Sequence, residues 1–545
     1  MYRKLICFCI SLLIFSASLF GQSDEFIRGF VIDKKNNEPI AFANIRIKDR
    51  ALGIISNIDG SFKIPLKYKD YGDIIEISSM GYQTQEILIQ DFSIYELNNV
   101  RLQPAILELE EAIVSARKKR RRKLSAREIV KKAIDRLLEN SPTNPYSQIG
   151  YYRDYQIDNE AYVNLNEGIF EVFDQGFKAT DSSTTKVLIY DYKENTDFER
   201  DTLARMPYDY DFKEGAKIID NGFLKSYGGN EFTILRVHNA IRNYNIDSHS
   251  FVHRFDSDLL KEHKFYFEED SFISDEVLYK IRFEKSISGY TAHGVLFISK
   301  SDFAIHKLEY AVYDRLSERK ANSIDKAKNK NQLMFEVNTS YQRQGDKMYL
   351  NYISFHNSFK LWEPPKLRLN FVEIRHDMST YFKVREQFVK RRWFILTFNN
   401  FLSANQIQNI DQFSLYFKGK KITLAGFSVS DDKVILYPKT ATRRQILLMN
   451  EIEDVANDGG LNEETFKVKA KGIKDVDGNS IGQWTTKDYH QFREFFVQRI
   501  EVKGIPSQNA DFMFNDKPIF DGQPMKKPEN FKDYWMNTPL QNIKN

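Results

Sequence analysis

The sequence predicts a mainly β protein: an N-terminal β-sandwich, a helix-backed antiparallel curved sheet, and a C-terminal β-sandwich. Three observations carry this. Aromatic residues are abundant, with 43 Phe, 29 Tyr and 4 Trp among 545 residues, and such side chains favour half-buried pleated surfaces. Short apolar alternations recur along most of the chain, cut by turn pairs such as Asn-Asn and Asp-Gly. Gly and Pro are modest at 25 and 14, which argues for folded structure over disorder. The length implies about three or four domains. A net charge of +4 gives no case for nucleic acid, which calls for a strongly basic face.

Residues 1–21, "MYRKLICFCISLLIFSASLFG", pair Arg3 and Lys4 with an apolar run and a small residue at its end. This reads as a secretory signal peptide, with a signal anchor as the alternative. Cys7 and Cys9 both lie inside it, so the mature chain is expected to hold no disulfide, thiolate metal site or catalytic thiol. No later run reaches the length of a membrane helix. The expected address is across the inner membrane, in the periplasm or at the outer membrane.

Residues 26–103 read as six or seven strands at sandwich spacing. Within "GIISNIDGSFKI" (53–64), Asp59-Gly60 supplies the positive φ of a tight turn. "GFVID" at Gly29–Asp33, "EPIAFANIRI" at Glu38–Ile47, "DGSFKI" at Asp59–Ile64 and "SSMGYQTQEI" at Ser78–Ile87 together resemble the carboxypeptidase-regulatory-like module, a transthyretin-like sandwich. That resemblance implies a non-catalytic module. It accompanies zinc carboxypeptidases and leads many outer-membrane receptors of the TonB-dependent type. "LELEEAIVSARKK" (107–119) is similar to the strand joining that module to a receptor plug. The pattern beyond lacks barrel girdles, so neither plug nor barrel is expected to follow.

Residues 104–124 form a basic linker. Arg117, Lys118, Lys119, Arg120, Arg121, Arg122 and Lys123 are consecutive. They read either as a self-repelling solvated spacer or as a peripheral contact to anionic membrane headgroups.

Residues 125–400 read as a helix plus a β-meander. Ser125 and Glu128 form a capping box, and Ile129, Ala133, Ile134, Leu137 and Leu138 mark one apolar face. "DEVLYKIRFEKSISGYTAHGVLFISKSDFAIHKLEYAVYD" (275–314) alternates over long strands with short turns. Gly294–Glu309 is similar to lipoprotein-carrier (LolA-like) half-barrels, and the order module–helix–meander resembles the front half of envelope proteins that carry an outer-membrane barrel behind it. Residues 401–487 resemble a bacterial Ig-like domain, closed by a turn at Asp475, Gly478 and Asn479. Calcium at that turn lacks a well-placed bidentate Glu. Residues 488–545 read as a C-terminal extension, running over the surface after about Ile505.

Three clusters are candidates for chemistry. His306 and Glu309 form an H-x-x-E, but positions three apart on a strand point to opposite faces unless a bulge intervenes. His249, His253, Asp256 and His263 have mixed spacing and lack a metalloprotease Glu. Glu268, Glu269 and Asp270 read as solvated acids. No nucleophile elbow, Walker loop or dinucleotide fingerprint is present. No catalytic, metal or cofactor residue is therefore assigned. The reading is a non-enzymatic envelope protein that binds or scaffolds envelope proteins, lipid or glycan. The alternatives are a carrier holding a lipid or other apolar ligand in the middle sheet and a metallo-hydrolase or carboxypeptidase-like enzyme.

Overall fold

A computed structural model describes residues 26–50, 52–105, 123–158, 161–205, 217–218, 227–247, 254–273, 276–287, 289–314, 332–384, 387–458, 461–462, 464–506 and 511–540. The signal segment, Cys7, Cys9, His249, His253 and the basic residues 117–122 lie outside that set.

The architecture is mainly β, as the composition predicts, and divides into two compact units. The first opens with the sandwich. Its strands are β1 (Phe26–Asp33), β2 (Asn44–Ile47), β3 (Leu52–Ile55), β4 (Ser61–Pro65), β5 (Ile74–Ser78), β6 (Gln85–Leu88) and β7 (Asn98–Leu102). One sheet runs β4-β1-β7 and the other β3-β2-β5-β6. Alternation in β1 buries Ile27 and Val31 against Phe62, Ile75 and Ile77, which is period-two patterning at work. Gly60 adopts φ +75°, and a Cβ there would sit 2.6 Å from Val31 O. Asp59 Oδ1 accepts from the Ser61 amide at 2.9 Å and so closes the turn.

The rest of this unit is one 12-stranded sheet. Its strands are β8 (Tyr146–Asp158), β9 (Ala161–Asp174), β10 (Lys186–Glu194), β11 (Lys217–Ile218), β12 (Lys264–Phe267), β13 (Ser271–Ile273), β14 (Glu276–Ile287), β15 (Tyr290–Ser299), β16 (Ile305–Asp314), β17 (Gln332–Gln344), β18 (Lys347–Glu363) and β26 (Thr485–Glu501). The main path is β10-β9-β8-β26-β18-β17-β16-β15-β14-β12. The expected meander appears as β14, β15 and β16, paired antiparallel in sequence order. The capping box forms as read, with the Glu128 amide donating to Ser125 Oγ. That helix ends at Asp135 and a short turn of helix follows at Leu137–Asn140. Leu137 is buried, but the break leaves Leu138 exposed.

β26 corrects the reading of 488–545 as an extension, because its first part is a strand of the large sheet. It lies between β8 and β18, near the middle of the sheet. Two consecutive charges, Arg493 and Glu494, disguise it, because charged residues normally mark an exposed face. Both are buried here. Further on, Trp535 packs into the sandwich core and its Nε1–H donates to Lys63 O at 2.9 Å.

The second unit holds residues 360–487, so the boundary falls near 360 rather than 400. One sheet runs β19 (Leu369–Val384), β20 (Gln387–Phe398), β24 (Lys433–Pro438), β23 (Leu424–Ser430); the other runs β22 (Lys420–Ile422), β21 (Phe413–Phe417), β25 (Phe466–Ala470). "LRLNFVEIRHDM", read with the meander, belongs here because β19 pairs with β20. A helix over Arg443–Asn457, capped by Thr442, buries Met449 and Ile452 in this core. Among the described residues, no helix is long and apolar enough to cross a membrane.

Candidate functional site

A buried polar cluster sits where the sandwich docks on the large sheet. Arg153 on β8 and Glu494 on β26 are cross-strand neighbours. Their side chains are 0% and 1% exposed and form an ion pair through Arg153 Nε. Arg153 Nη1 donates to Asn57 Oδ1, at the start of the Asp-Gly turn. Asn57 Nδ2 donates to Ser61 Oγ at 2.8 Å. Asn537, from the C-terminal stretch, donates to Asn57 Oδ1 at 3.3 Å and to Ile55 O at 3.0 Å. Burial opposes the Arg153 charge, but Glu494 and the nearby tyrosines outweigh it and hold the guanidinium protonated. The same guanidinium lies 5.1 Å from the Phe496 ring centre and 5.4 Å from that of Tyr155, a cation–π setting.

An apolar seam surrounds this clamp. Leu52 and Ile55 join Ile149, Tyr151, Tyr352, Phe496 and Tyr534 in one cluster. Phe42 stacks on Tyr352 at 4.7 Å. β3 is therefore buried on both faces, although a two-sheet sandwich alone would leave one side wet.

Among the described residues, the opposite face of the sheet also carries buried side chains. Side chains alternate across a strand, so Arg493 faces away from Glu494. It pairs with Glu231 and donates to Asn357 Oδ1 at 2.6 Å. Beside it, Asp154 is buried, and burial followed by the Glu231 charge pushes its carboxyl up to about 7. A helix at Glu231–Val237 contributes Phe232, which packs on Tyr152, Phe170 and Phe495. The cavity beneath it is ≈ 40 Å³ and is lined by Tyr146, Asp174, Asn239, Arg242 and Tyr341. An apolar ligand needs several hundred Å³, and this space holds only a few waters.

The residues singled out from sequence are placed apart. His306 sits at a bulge in the β15–β16 ladder, and its Nε2 lies 3.1 Å from Glu276 Oε2. Glu309 instead pairs with Lys307 Nζ at 2.5 Å. Glu276 is lowered to about 2, chiefly by His306, with burial opposing. His263 is buried against Phe283 and Tyr310, and Asp256 lies 3.7 Å from Arg254. Glu268 pairs with Lys280 and Arg282, and Asp270 with Lys300. Asp475 is buried and accepts from the Asn479 amide at 2.7 Å and from Asn400 Nδ2 at 3.0 Å. Amide donors thus occupy the carboxylate at this turn. Among the described residues, no three His, Cys, Asp or Glu side chains converge as a metal set.

Arg153, Glu494, Asn57 and Asn537 were missed from sequence. The local signal was Arg493-Glu494 inside an otherwise alternating aromatic strand.

One comparison with known proteins falls on the sandwich and the strand after it. The CarboxypepD_reg-like domain family matches residues 27–114. The TonB-dependent receptor SusC of Bacteroides thetaiotaomicron is 37% identical over 81 residues, which is 14% of this chain and 8% of the receptor. The chain thus matches only a small part of that relative's length. A solved DUF1329 family protein from Desulfovibrio piger aligns with 43% of this chain and 87% of its own at 8% identity, with a TM-score of 0.22, too low to carry a shared fold. The strands and turns of the N-terminal sandwich are those of a CarboxypepD_reg-like domain.

Proposed function

We propose that the protein is a non-enzymatic envelope protein with a binding or scaffolding role at the outer membrane or in the periplasm. One observation carries the reading: the Asp-Gly turn of the CarboxypepD_reg-like domain is gripped by the buried Arg153–Glu494 pair. The domain is thereby a fixed part of a larger β body and suited to presenting surfaces at set positions. The similarity of this domain to part of a TonB-dependent receptor supports the envelope placement. The ion pairs and hydrogen bonds around His306, Glu276, Asp475 and Asp270 support a structural use of the polar groups.

The test is affinity capture of the secreted form from envelope extract, identifying protein and lipid eluates separately. Chromogenic peptidase and glycosidase substrates are run in parallel. The expected result is a specific envelope component in the eluate and no turnover. Turnover abolished by a single His or acidic substitution would overturn the reading, as would an eluate without any envelope component.

A further inference from the structure

The second unit carries a groove of ≈ 730 Å³ between β22 and the start of the Arg443–Asn457 helix. Five of its lining side chains are cationic: Lys420, Lys421, Lys439, Arg443 and Arg444. All five are exposed. The one acid of the lining, Glu451, is engaged by Lys418 at 2.9 Å.

The helix start adds an independent argument. A helix N-terminus carries partial positive charge, so acids belong in the first turn and cations destabilise it. Here the first turn holds no acid and begins Arg443-Arg444. The capping box satisfies the amides of Thr442 and Gln445, and the Arg443 and Arg444 amides remain open to another acceptor. Cations gathered at the positive end of a helix gain only when an anion joins them. Leu447, 57% exposed, lies on the groove wall. A soluble anion would leave it in water, whereas the headgroup–acyl boundary of a membrane would cover it. The groove lining has no aromatic side chain on which nucleic-acid bases would stack.

We propose that this groove binds the phosphates of anionic lipid headgroups at a membrane surface, with Leu447 entering the boundary. The site differs from the basic run at 117–123. It relies on the envelope reading only for access to a membrane in the cell, and vesicle binding in vitro is independent of that reading.

The experiment is co-sedimentation of the secreted form, residues 22–545, with phosphatidylcholine vesicles containing or lacking phosphatidylglycerol. Three proteins are compared: wild type, Lys421→Glu/Arg443→Glu/Arg444→Glu, and a variant with residues 117–123 replaced by Ser. The expected result is binding that requires phosphatidylglycerol and falls at least about tenfold in the groove variant. The groove variant is also expected to melt at or above the wild-type temperature, because acids then occupy the helix start, so lost binding is not lost folding. The linker variant is expected to retain most of the affinity. The proposal is overturned if the groove variant binds like wild type, or if the linker variant alone abolishes binding. Displacement by inorganic phosphate would mark a soluble-anion site, and displacement by an oligonucleotide a nucleic-acid site; either also overturns it. A failure here leaves the envelope capture result untouched.

Discussion

Asp154 is buried next to Glu231, and its carboxyl is held up to about 7. An unfolded aspartate titrates near about 4. Between those values the folded state keeps a proton that the unfolded state has released. Its contribution to stability therefore falls as pH rises through that window and stays low above it. Asp154→Asn removes the titration. The variant is expected to gain on the order of 3 kcal/mol over wild type at about pH 8 and little at about pH 4. Urea unfolding at the two pH values reads this, and an equal effect at both would contradict the assignment. Gly60 makes a second case. Its φ of +75° and the 2.6 Å approach of a Cβ to Val31 O lead Gly60→Ala to cost about 1–3 kcal/mol, measurable by denaturation. The buried pair makes a third. Arg153→Met alone strands the Glu494 carboxylate and is expected to cost about 3–5 kcal/mol, whereas Arg153→Met with Glu494→Leu costs much less. A double-mutant cycle decides this, and additive losses would show that the pair is not coupled.

β26 supplies the element that joins the two halves of the large sheet. It exchanges backbone hydrogen bonds with β8 from Ser147–Glu501 to Ile157–His490 and also borders β18. A chain ending at residue 484 would leave two long inner edges unpaired, and such edges drive aggregation. That truncation is expected to be insoluble, whereas one ending at residue 540 keeps β26 and Trp535 and folds like the full chain. Expression with soluble fractionation separates the outcomes. Legibility follows the same physics. The sandwich strands were readable because their turns are local, as at Asp59-Gly60. The helix at Ala126 was readable through Ser125 and Glu128. β26 was hidden because Arg493-Glu494 carries buried charge, against the usual partition. The Arg443–Asn457 helix has a readable capping pair in Thr442 and Gln445, but it follows the "KVILYP" strand within a region whose resemblance is to an Ig-like β-domain.

The chain assembles by long-range contact. The clamp draws Asn57, Arg153, Glu494 and Asn537 from four separate stretches, and no local pattern announces such a meeting. The strands and turns of the sandwich could be read in advance; the surface that holds it could not. The central claim is that the CarboxypepD_reg-like domain is clamped onto the large sheet as part of one cooperative body. Native-state hydrogen exchange of Ile54 and Ile55 in β3 and of Tyr151 and Tyr152 in β8, in wild type and Arg153→Met, tests it most directly. A clamped domain opens with the sheet, so protection at both sets should match in wild type and fall together in the variant. Protection that falls in β8 while β3 is unchanged would contradict the claim.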